Sequence, residues 1–357
     1  MCSPPTSRWK RRSPRSADPL FAPVASVVRN GLPESWHFGL VAAVTPEGRL
    51  VARVGDPRIA TCLRSAAKPF QCLPLLLAGG VERFGLDAAD IALICASHGG
   101  TPAHTRRAAD LLARGGFGEE DLLCGTHWPL DAEAAWEIRE AGAEPGPLHN
   151  NCSGKHAGML LACRLLGFPP EDYVSPEHPL EQRIFDHMAA FCGVPRESLG
   201  LSVDGCSVPA FHVPVEAVAR GYAALAHPEA AGLAPDVAAA AGTVVRSMTG
   251  APEMVAGPGR FTTRLMKVTG GRVLAKEGAE GFYGLAVRGP VALGVALKVA
   301  DGGERCRDSL VIDVLRQLGS LSGAEFEELA DLYEPPIRNC RGLLVGKVRS
   351  EVELEEV

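Results

Sequence analysis

The stretch FGLVAAV, residues 38–44, decides the fold class, because a second apolar run, GRLVARVG at 48–55, follows it after only three residues. Both runs are rich in valine, and the connection at 45–47 contains a proline, so together they predict a β-hairpin. Near the other end of the chain, three further runs predict strands: RVLAKEG (272–278), FYGLAV (282–287) and VALGVALKV (291–299). A tight turn at 288–290 joins the last two, so five predicted strands lie at the two ends of the chain.

The middle of the chain carries apolar residues at the three- and four-residue spacing of helices. The predicted helices are 70–84, 103–116, 132–142, 156–168, 180–193 and 215–226. Short turns between adjacent strands imply antiparallel pairing, and the separation of helices from strands is typical of α+β domains. We therefore expect an α+β fold, in which an antiparallel sheet formed from the N- and C-terminal strands is covered by a mostly helical central insert at about 65–245.

A single domain is expected at 21–350, with a short charged tail on each side. Residues 1–20 include RWKRRSPR at 8–15, which is not followed by a long apolar run, so we interpret them as a disordered basic tail and not as a signal peptide. The last seven residues, EVELEEV at 351–357, form an acidic tail.

Composition limits the class of partner. A net charge of −6 with 22% charged residues gives no general attraction for nucleic acid or anionic lipid, and no apolar stretch has membrane-spanning length. A small-molecule partner is therefore expected, with no nucleic acid and no membrane. Eleven scattered cysteines without a secretory signal fit free thiols in a reducing compartment, which indicates the cytoplasm.

Residues 64–72 hold the first candidate for chemistry, because Ser65 precedes Lys68 by three residues. On a helix this spacing places the hydroxyl and the amine on one face, and a nucleophilic serine needs such a base. Lysine becomes that base only when burial or a nearby positive charge, such as that of Arg64, lowers its pKa. The alternative is a capping serine beside a solvated lysine, and Pro69 weakens the regular helix.

The second candidate for chemistry is the pair Ser97 and His98. It follows a strand-like run, IALIC (91–95), and directly precedes two glycines. Glycines there suit a site at which the backbone approaches a ligand, although a plain turn into the next helix has the same pattern. Neighbouring residues on a strand point to opposite faces, which argues against a serine–histidine pair.

Two further loops, HNNCSGKHAGML (149–160) and SVDGCSVPAFH (202–212), concentrate cysteine, histidine and aspartate. The thiolates of Cys152 and Cys206 would suit the preference of zinc for soft ligands. The local spacing matches no zinc-finger pattern, so two reduced structural cysteines and a single catalytic cysteine remain alternatives.

Seven unusual motifs follow one another along the chain: RNGLPESWHFG (29–39), VGDP (54–57), RSAAKPFQ (64–71), CASHGGTPAH (95–104), HNNCSGKHAGML (149–160), DGCSVP (204–209) and KEGAEGFYG (276–284). Together they resemble the motifs of the rhizobial-type asparaginase II family, and RNCRGLLVGKV (338–348) resembles its closing strand. The resemblance implies a fold similar to that of serine β-lactamases and glutaminases. It also implies hydrolysis of L-asparagine to aspartate and ammonia.

By position, the resemblance implies two Ser-Lys tandems in one cleft, Ser65 with Lys68 and Ser97 with Lys276. It implies that zinc binds, together with a water, to three side chains: Cys152, Lys155 and Cys206. Substrate binding is expected at three further residues of these motifs: Arg64, His98 and Asp204. A homodimer is implied by the resemblance alone.

The resulting hypothesis is an L-asparaginase in which Ser65, activated by Lys68, attacks the side-chain amide and water hydrolyses the acyl-enzyme. Ser97 and Lys276 would protonate the leaving ammonia, although either serine could attack. The alternatives are a glutaminase or broader amidase, a penicillin-recognising serine hydrolase, and a non-catalytic amino-acid-binding protein. The penicillin reading is disfavoured because no Ser-Asp-Asn occurs and Lys276-Glu-Gly only approximates Lys-Thr-Gly.

Overall fold

A large antiparallel sheet organises the protein in a computed structural model that describes residues 20–357. In chain order the strands of this part are β1 (Ala22–Arg29), β2 (Leu32–Val44), β3 (Leu50–Val54), β4 (Ala60–Cys62), β5 (Gly200–Val203), β6 (Pro209–Pro214), β7 (Val273–Gly278), β8 (Phe282–Val287), β9 (Leu293–Val299), β10 (Pro336–Arg338), β11 (Leu344–Ser350) and β12 (Glu355–Glu356). The large sheet has the order β10-β11-β1-β2-β9-β8-β7, with β3 paired to β2 and β12 paired to β3. All pairs are antiparallel.

The predicted strands are confirmed. The first hairpin is β2 and β3, in register from Val41 opposite Val54 to Val44 opposite Leu50, and the three later runs are β7, β8 and β9. All residues of β7 and β8 are buried, because both faces of the sheet are covered. Strand β1 was not predicted, since its run contains Pro23 and lacks a clear turn signal before it.

The central insert is mostly helical, as expected. The helices of the described chain are α1 (Lys68–Gln71), α2 (Leu73–Leu77), α3 (Gly80–Phe84), α4 (Ala88–Ile94), α5 (Pro102–Gly115), α6 (Ala132–Glu140), α7 (Ser153–Leu166), α8 (Pro179–Cys192), α9 (Val215–Ala226), α10 (Pro235–Gly250), α11 (Pro252–Val255), α12 (Phe261–Val268), α13 (Arg307–Gln317), α14 (Gly323–Glu328) and α15 (Ala330–Tyr333). Helices α1 to α12 all lie between β4 and β7 in the chain. A small sheet of order β4-β6-β5 interrupts them.

Two local predictions were wrong. The single helix expected at 70–84 is three short helices, α1 to α3, because prolines stand in the first turns of α1 and α2 and Gly79 adopts a left-handed backbone before α3. The strand-like run at 91–95 lies largely in helix α4, since a short buried apolar run has the same pattern in either structure.

Helix α9 lies against the sheet at two glycines. A methyl group at Gly294 would stand 1.9 Å from the carbonyl oxygen of Ala219, and one at Gly284 would stand 2.2 Å from the ring of Tyr222. The hydroxyl of Tyr222 donates to the carbonyl oxygen of Ala66 at 2.8 Å. The close approach of α9 to β8 and β9 therefore also holds the turn that contains the first candidate serine.

The predicted basic and acidic tails lie at the two ends of the chain. Residues 1–19, nearly all of the predicted basic tail, lie outside the described residues. The acidic end contributes β12, where Glu355 pairs with Arg53 of β3 at 3.0 Å. No helix within residues 20–357 combines the length and apolarity required to cross a membrane.

Gly294→Ala should destabilise the protein, because its methyl group would meet helix backbone that cannot move aside. We expect a loss of about 1–3 kcal/mol in the free energy of unfolding, measured by urea denaturation. Gly250→Ala is the control, since nothing lies within 4 Å of its added methyl, and its change should stay within about 0.5 kcal/mol. Equal effects of the two variants would contradict the proposed packing constraint.

Candidate active site

A cavity of about 330 Å³ lies where the helical insert meets the sheet. The polar and charged side chains of its wall are Ser65, Ser97, Asn151, Arg260, Glu277, Glu304 and Arg307. They come from six separate parts of the chain, as is usual for a site formed by converging loops and element ends. A larger cavity of about 870 Å³, between the β1–β2 turn and β11, contains none of the predicted site residues.

Both candidate lysines contact the same serine. Lys276 Nζ lies 2.7 Å from Ser97 Oγ, and Lys68 Nζ lies 3.1 Å from that oxygen. Ser97 is 4% exposed, and the two lysines are 2% and 0% exposed, so water does not compete for these contacts. The structure therefore brings Lys68, Ser97 and Lys276 together as one hydrogen-bonded chain.

The two amines have different surroundings. Lys68 Nζ also donates to the carbonyl oxygens of Ala96 at 2.5 Å and Asn151 at 3.4 Å, so it has the three acceptors that an ammonium group requires. Lys276 Nζ has only one further acceptor, the carbonyl oxygen of Glu277 at 2.8 Å. Burial lowers the pKa of Lys276 to about 7, and the positive charge of Lys68 contributes to the same shift. Lys276 is thus the amine suited to accept a proton near neutral pH.

Ser65 stands in the same cavity but outside this chain of contacts. It is half-buried in a 3-10 turn, Arg64–Ala67, and within the described residues no hydrogen bond joins its hydroxyl to Lys68. The i, i+3 spacing in the sequence had predicted that Ser65 and Lys68 would contact each other. The amine of Lys68, at the start of α1, instead reaches Ser97 and the carbonyls beside it.

Three residues were assigned to substrate binding. Arg64 donates to both carboxylate oxygens of Asp204, at 3.1 and 3.2 Å, and its backbone is left-handed, with φ of 49°. His98 is fully buried, lies 3.0 Å from the hydroxyl of Ser153 through Nε2, and has its pKa lowered mainly by burial. None of the three lines the cavity in this structure, so their assignment stays a prediction.

The predicted metal ligands lie together beside the site. Lys155 Nζ donates to the sulfur of Cys206 at 3.0 Å, and a hydrogen bond from Cys206 is the main cause that holds the pKa of the Cys152 thiol well below its ordinary range. Burial alone would lower the pKa of Lys155, but the negative charge of the two sulfurs raises it. The neighbouring His156 is also buried, and its Nδ1 lies 2.7 Å from the hydroxyl of Tyr173.

Histidine, cysteine, aspartate and glutamate alone do not form a metal site here. Within residues 20–357 no group of three or more of these side chains is arranged to hold a metal ion. A site at this cluster would therefore depend on the amine of Lys155 as a third donor beside the two sulfurs.

Sequence reasoning missed a charged group on the cavity wall. Glu277 pairs with Arg260 at 2.5 Å and with Arg307 at 3.6 Å. The glutamate directly follows Lys276 in a quoted motif, which was a usable signal. The two arginines precede α12 and begin α13, and nothing in their local sequence indicates that they meet.

The sequence profile of the L-asparaginase II family matches residues 25–350. The chain belongs to the asparaginase II family. Membership confirms the resemblance found in the motifs, and the structure has the expected α+β fold with an antiparallel sheet formed from N- and C-terminal strands.

Solved structures of Mglu match this chain at low sequence identity. Mglu in its native form aligns over 80% of this chain and 65% of that chain, with 17% identity and a TM-score of 0.43. A second Mglu structure aligns over 80% and 68%, with 19% identity and a TM-score of 0.43. The asparaginase II chain thus spans about two thirds of the length of Mglu. A comparison with curated proteins finds no match.

Lys276→Met should stabilise this asparaginase II protein in a pH-dependent way. The pKa of Lys276 falls from 10.5 to about 7 on folding, so the unfolded chain binds more protons between these values, and the lysine costs most stability below pH 7. We expect a gain of about 1–4 kcal/mol at pH 6.5 that shrinks by pH 9, measured by urea denaturation.

The control is Lys267→Met, at an exposed lysine of α12. It should show no gain that depends on pH over this range. A gain in Lys276→Met that is independent of pH, or larger at pH 9, would show that Lys276 is not held as a low-pKa amine.

Proposed function

We propose that the protein hydrolyses the side-chain amide of L-asparagine to L-aspartate and ammonia through a covalent acyl-enzyme. The observation that carries this proposal is the chain Lys68–Ser97–Lys276, which faces a cavity that also contains Ser65. Amide hydrolysis needs an activated hydroxyl and an acid for the leaving amine, and the chain supplies groups of both kinds. Membership of the asparaginase II family favours asparagine as the substrate.

In the proposed first step, Ser65 Oγ attacks the side-chain amide carbon of the substrate. This step requires the hydroxyl of Ser65 to reach Lys68, a contact that is not made among the described residues. The proton of Ser65 then passes to Lys68 as Lys68 gives one to Ser97 and Ser97 gives one to the neutral amine of Lys276. Lys276 thereby becomes positively charged, and the oxygen of the tetrahedral intermediate carries the balancing negative charge. The proton then returns along the same chain to the nitrogen of the tetrahedral intermediate, the C–N bond breaks, and ammonia leaves.

The second step repeats the proton transfers with water in place of Ser65. Water attacks the carbonyl carbon of the aspartyl ester, the chain removes its proton, and Ser65 is regenerated as aspartate leaves. Lys276 must be neutral at the start of each half-reaction. Activity should therefore rise as the pH increases through about 7.

The first test measures ammonia release from L-asparagine and L-glutamine by the purified protein and by Ser65→Ala. We expect turnover of asparagine that falls by at least about a thousandfold in the variant, because nucleophile removal leaves only binding and electrostatic stabilisation. Ser175→Ala, at a half-buried serine that contacts Glu177 outside the cavity, serves as a control and should keep full activity.

Two outcomes would revise the proposal. An ester trapped by acid quench and located by mass spectrometry on Ser97 would exchange the roles of the two serines. Faster turnover of glutamine would identify a glutaminase, since one methylene changes binding by only about 1–3 kcal/mol. A folded protein silent on both amides would refute asparagine hydrolysis.

We further propose that zinc binds Cys152, Lys155 and Cys206. The two sulfurs and the amine already lie together, the Cys152 thiol has a lowered pKa, and soft thiolates suit zinc. Lys155 would have to lose its proton, so binding should strengthen as the pH rises. A zinc ion there would supply a Lewis acid beside the cavity and a bond between the two loops.

Cys206→Ser should lose the metal and weaken substrate affinity, because it removes one of two sulfur donors without touching either serine. Zinc content is measured by elemental analysis of the protein as purified, alongside KM and kcat. The matched control is Cys163→Ser, which changes a buried cysteine of α7 that no predicted ligand contacts. Stoichiometric zinc in Cys206→Ser would refute this set of ligands.

The compartment and the assembly belong to the same proposal. The ten cysteines between Cys62 and Cys340 are all free thiols, which supports a reducing location such as the cytoplasm. The homodimer rests on the family resemblance.

A further inference from the structure

The charge of Glu277 presents a difficulty for the proposed function. Its carboxylate is buried on the cavity wall, and its own carbonyl oxygen accepts the hydrogen bond from Lys276. A negative charge so close to an amine favours the protonated form of that amine. A protonated Lys276 cannot accept the proton of Ser97, so an uncompensated Glu277 would oppose the role assigned to its neighbour.

Two arginines compensate this charge from different elements. Arg260, just before α12, donates to one carboxylate oxygen at 2.5 Å, and Arg307, the first residue of α13, lies 3.6 Å from the other. Arg307 also pairs with Asp308 at 3.0 Å and with Glu304 at 3.5 Å, and its guanidinium lies over the ring of Tyr283. One carboxylate thus faces two guanidinium groups.

The charged groups around Lys276 show how the pairing of Glu277 with arginine affects the Lys276 amine. The titratable groups that act on it from the packed elements are Lys68, Glu277, Arg260, Cys95 and Cys152. Lys68 and Arg260 lower the pKa of Lys276, as burial does, whereas Glu277 raises it. The amine therefore depends on the balance between Glu277 and the arginine that pairs with it most closely.

We infer that Arg260 and Arg307 form a clamp on Glu277 that cancels its charge at Lys276 and so keeps the Lys276 amine in its proton-accepting state. The three residues are positioning residues that act through Lys276. This inference rests on the proposed role of Lys276 in amide hydrolysis, and it assigns a purpose to charged groups on the cavity wall that the two Ser-Lys tandems leave unexplained.

The test exploits the opposite signs of the two kinds of charge. Glu277→Gln removes a negative charge, so the acidic limb of the pH profile of kcat should move to lower pH. Arg260→Gln removes a positive charge and exposes Glu277 to the amine, so the limb should move to higher pH. We expect shifts of about half a pH unit or more in each direction, because water screens charges only weakly in a buried site.

Two further variants separate charge from packing. Arg260→Lys keeps the positive charge and should return the limb toward that of the wild type. Arg264→Gln, at an arginine of α12 that pairs with Asp331 away from the cavity, should leave the profile unchanged. A purely structural clamp would reduce kcat in both Arg260→Gln and Glu277→Gln without moving the limb, and that result would overturn the inference.

A substrate-binding role for Arg260 gives another distinct result. Its side chain is 31% exposed, so it can reach a carboxylate of the substrate. In that case Arg260→Gln would raise KM strongly while the pH profile of kcat stayed in place, and this outcome also counts against the clamp.

A readout without catalysis separates failure of the inference from failure of the proposed function. In protein labelled with ¹³C at the lysine Cε, the titration of Lys276 is followed by NMR and assigned with Lys276→Met. Titration shifts of opposite sign in Glu277→Gln and Arg260→Gln support the clamp even if neither amide is hydrolysed. Identical titrations in both variants would refute it even in an active asparaginase.

Discussion

Two lysine amines that share one buried serine hydroxyl impose the constraint on which the rest of the structure depends. Lys68 belongs to the helical insert and Lys276 to the sheet, so the contact through Ser97 exists only while insert and sheet stay docked. Buried amines are costly, because desolvation penalises their charged form. The packing around the two amines must therefore contribute enough stability to offset the cost of burying them. Helix α9, seated on Gly284 and Gly294 and bonded to Ala66 through Tyr222, supplies part of that density.

The burial of both amines also explains why Lys68 and Lys276 have different polar and charged neighbours. Lys68 faces carbonyl oxygens and lies near the Cys152 thiol, whose pKa its positive charge helps to lower. Lys276 faces a carboxylate that two arginines already neutralise. Lys276 is thus placed to lose its proton, whereas the amine of Lys68 has three acceptors around it, although both are lysines in one cavity. Divergent surroundings are the general means by which two like groups take the roles of acid and base.

The sequence predicted the fold through features that are local. The hairpin at 38–55 and the strands of the C-terminal half follow from alternation of apolar runs and turns, which are properties of neighbouring residues. The break of the helix at 70–84 was also readable, since Pro74 and the Gly79–Gly80 pair stand inside the apolar pattern. The strand-like run before Ser97 was not, because a short buried apolar segment has no periodicity that distinguishes helix from strand.

The candidate site could be predicted only in part, for a physical reason. Motifs bring the candidate residues to attention one segment at a time, and they pair Ser65 with Lys68 because those two are close in sequence. The chain instead joins Lys68 to Ser97 across 29 positions and Lys276 to the same serine across 179 positions. Contacts of that range depend on how the insert docks on the sheet, which no local pattern encodes. The arginine clamp is the clearest case, since nothing in the local sequence indicates that Arg260 and Arg307 both contact Glu277.

Substrate selection should depend on a different set of residues from the proton-transfer chain. Ser97 and the two lysines contact one another and are almost entirely buried, so they can act alike on any amide that reaches Ser65. The part of the wall that a substrate side chain would meet includes Leu130, which is 49% exposed, and Glu304, which is also exposed. Neither residue lies in the motifs that carry the family resemblance. Membership of the asparaginase II family therefore constrains the chemistry more tightly than it constrains the choice between asparagine and glutamine.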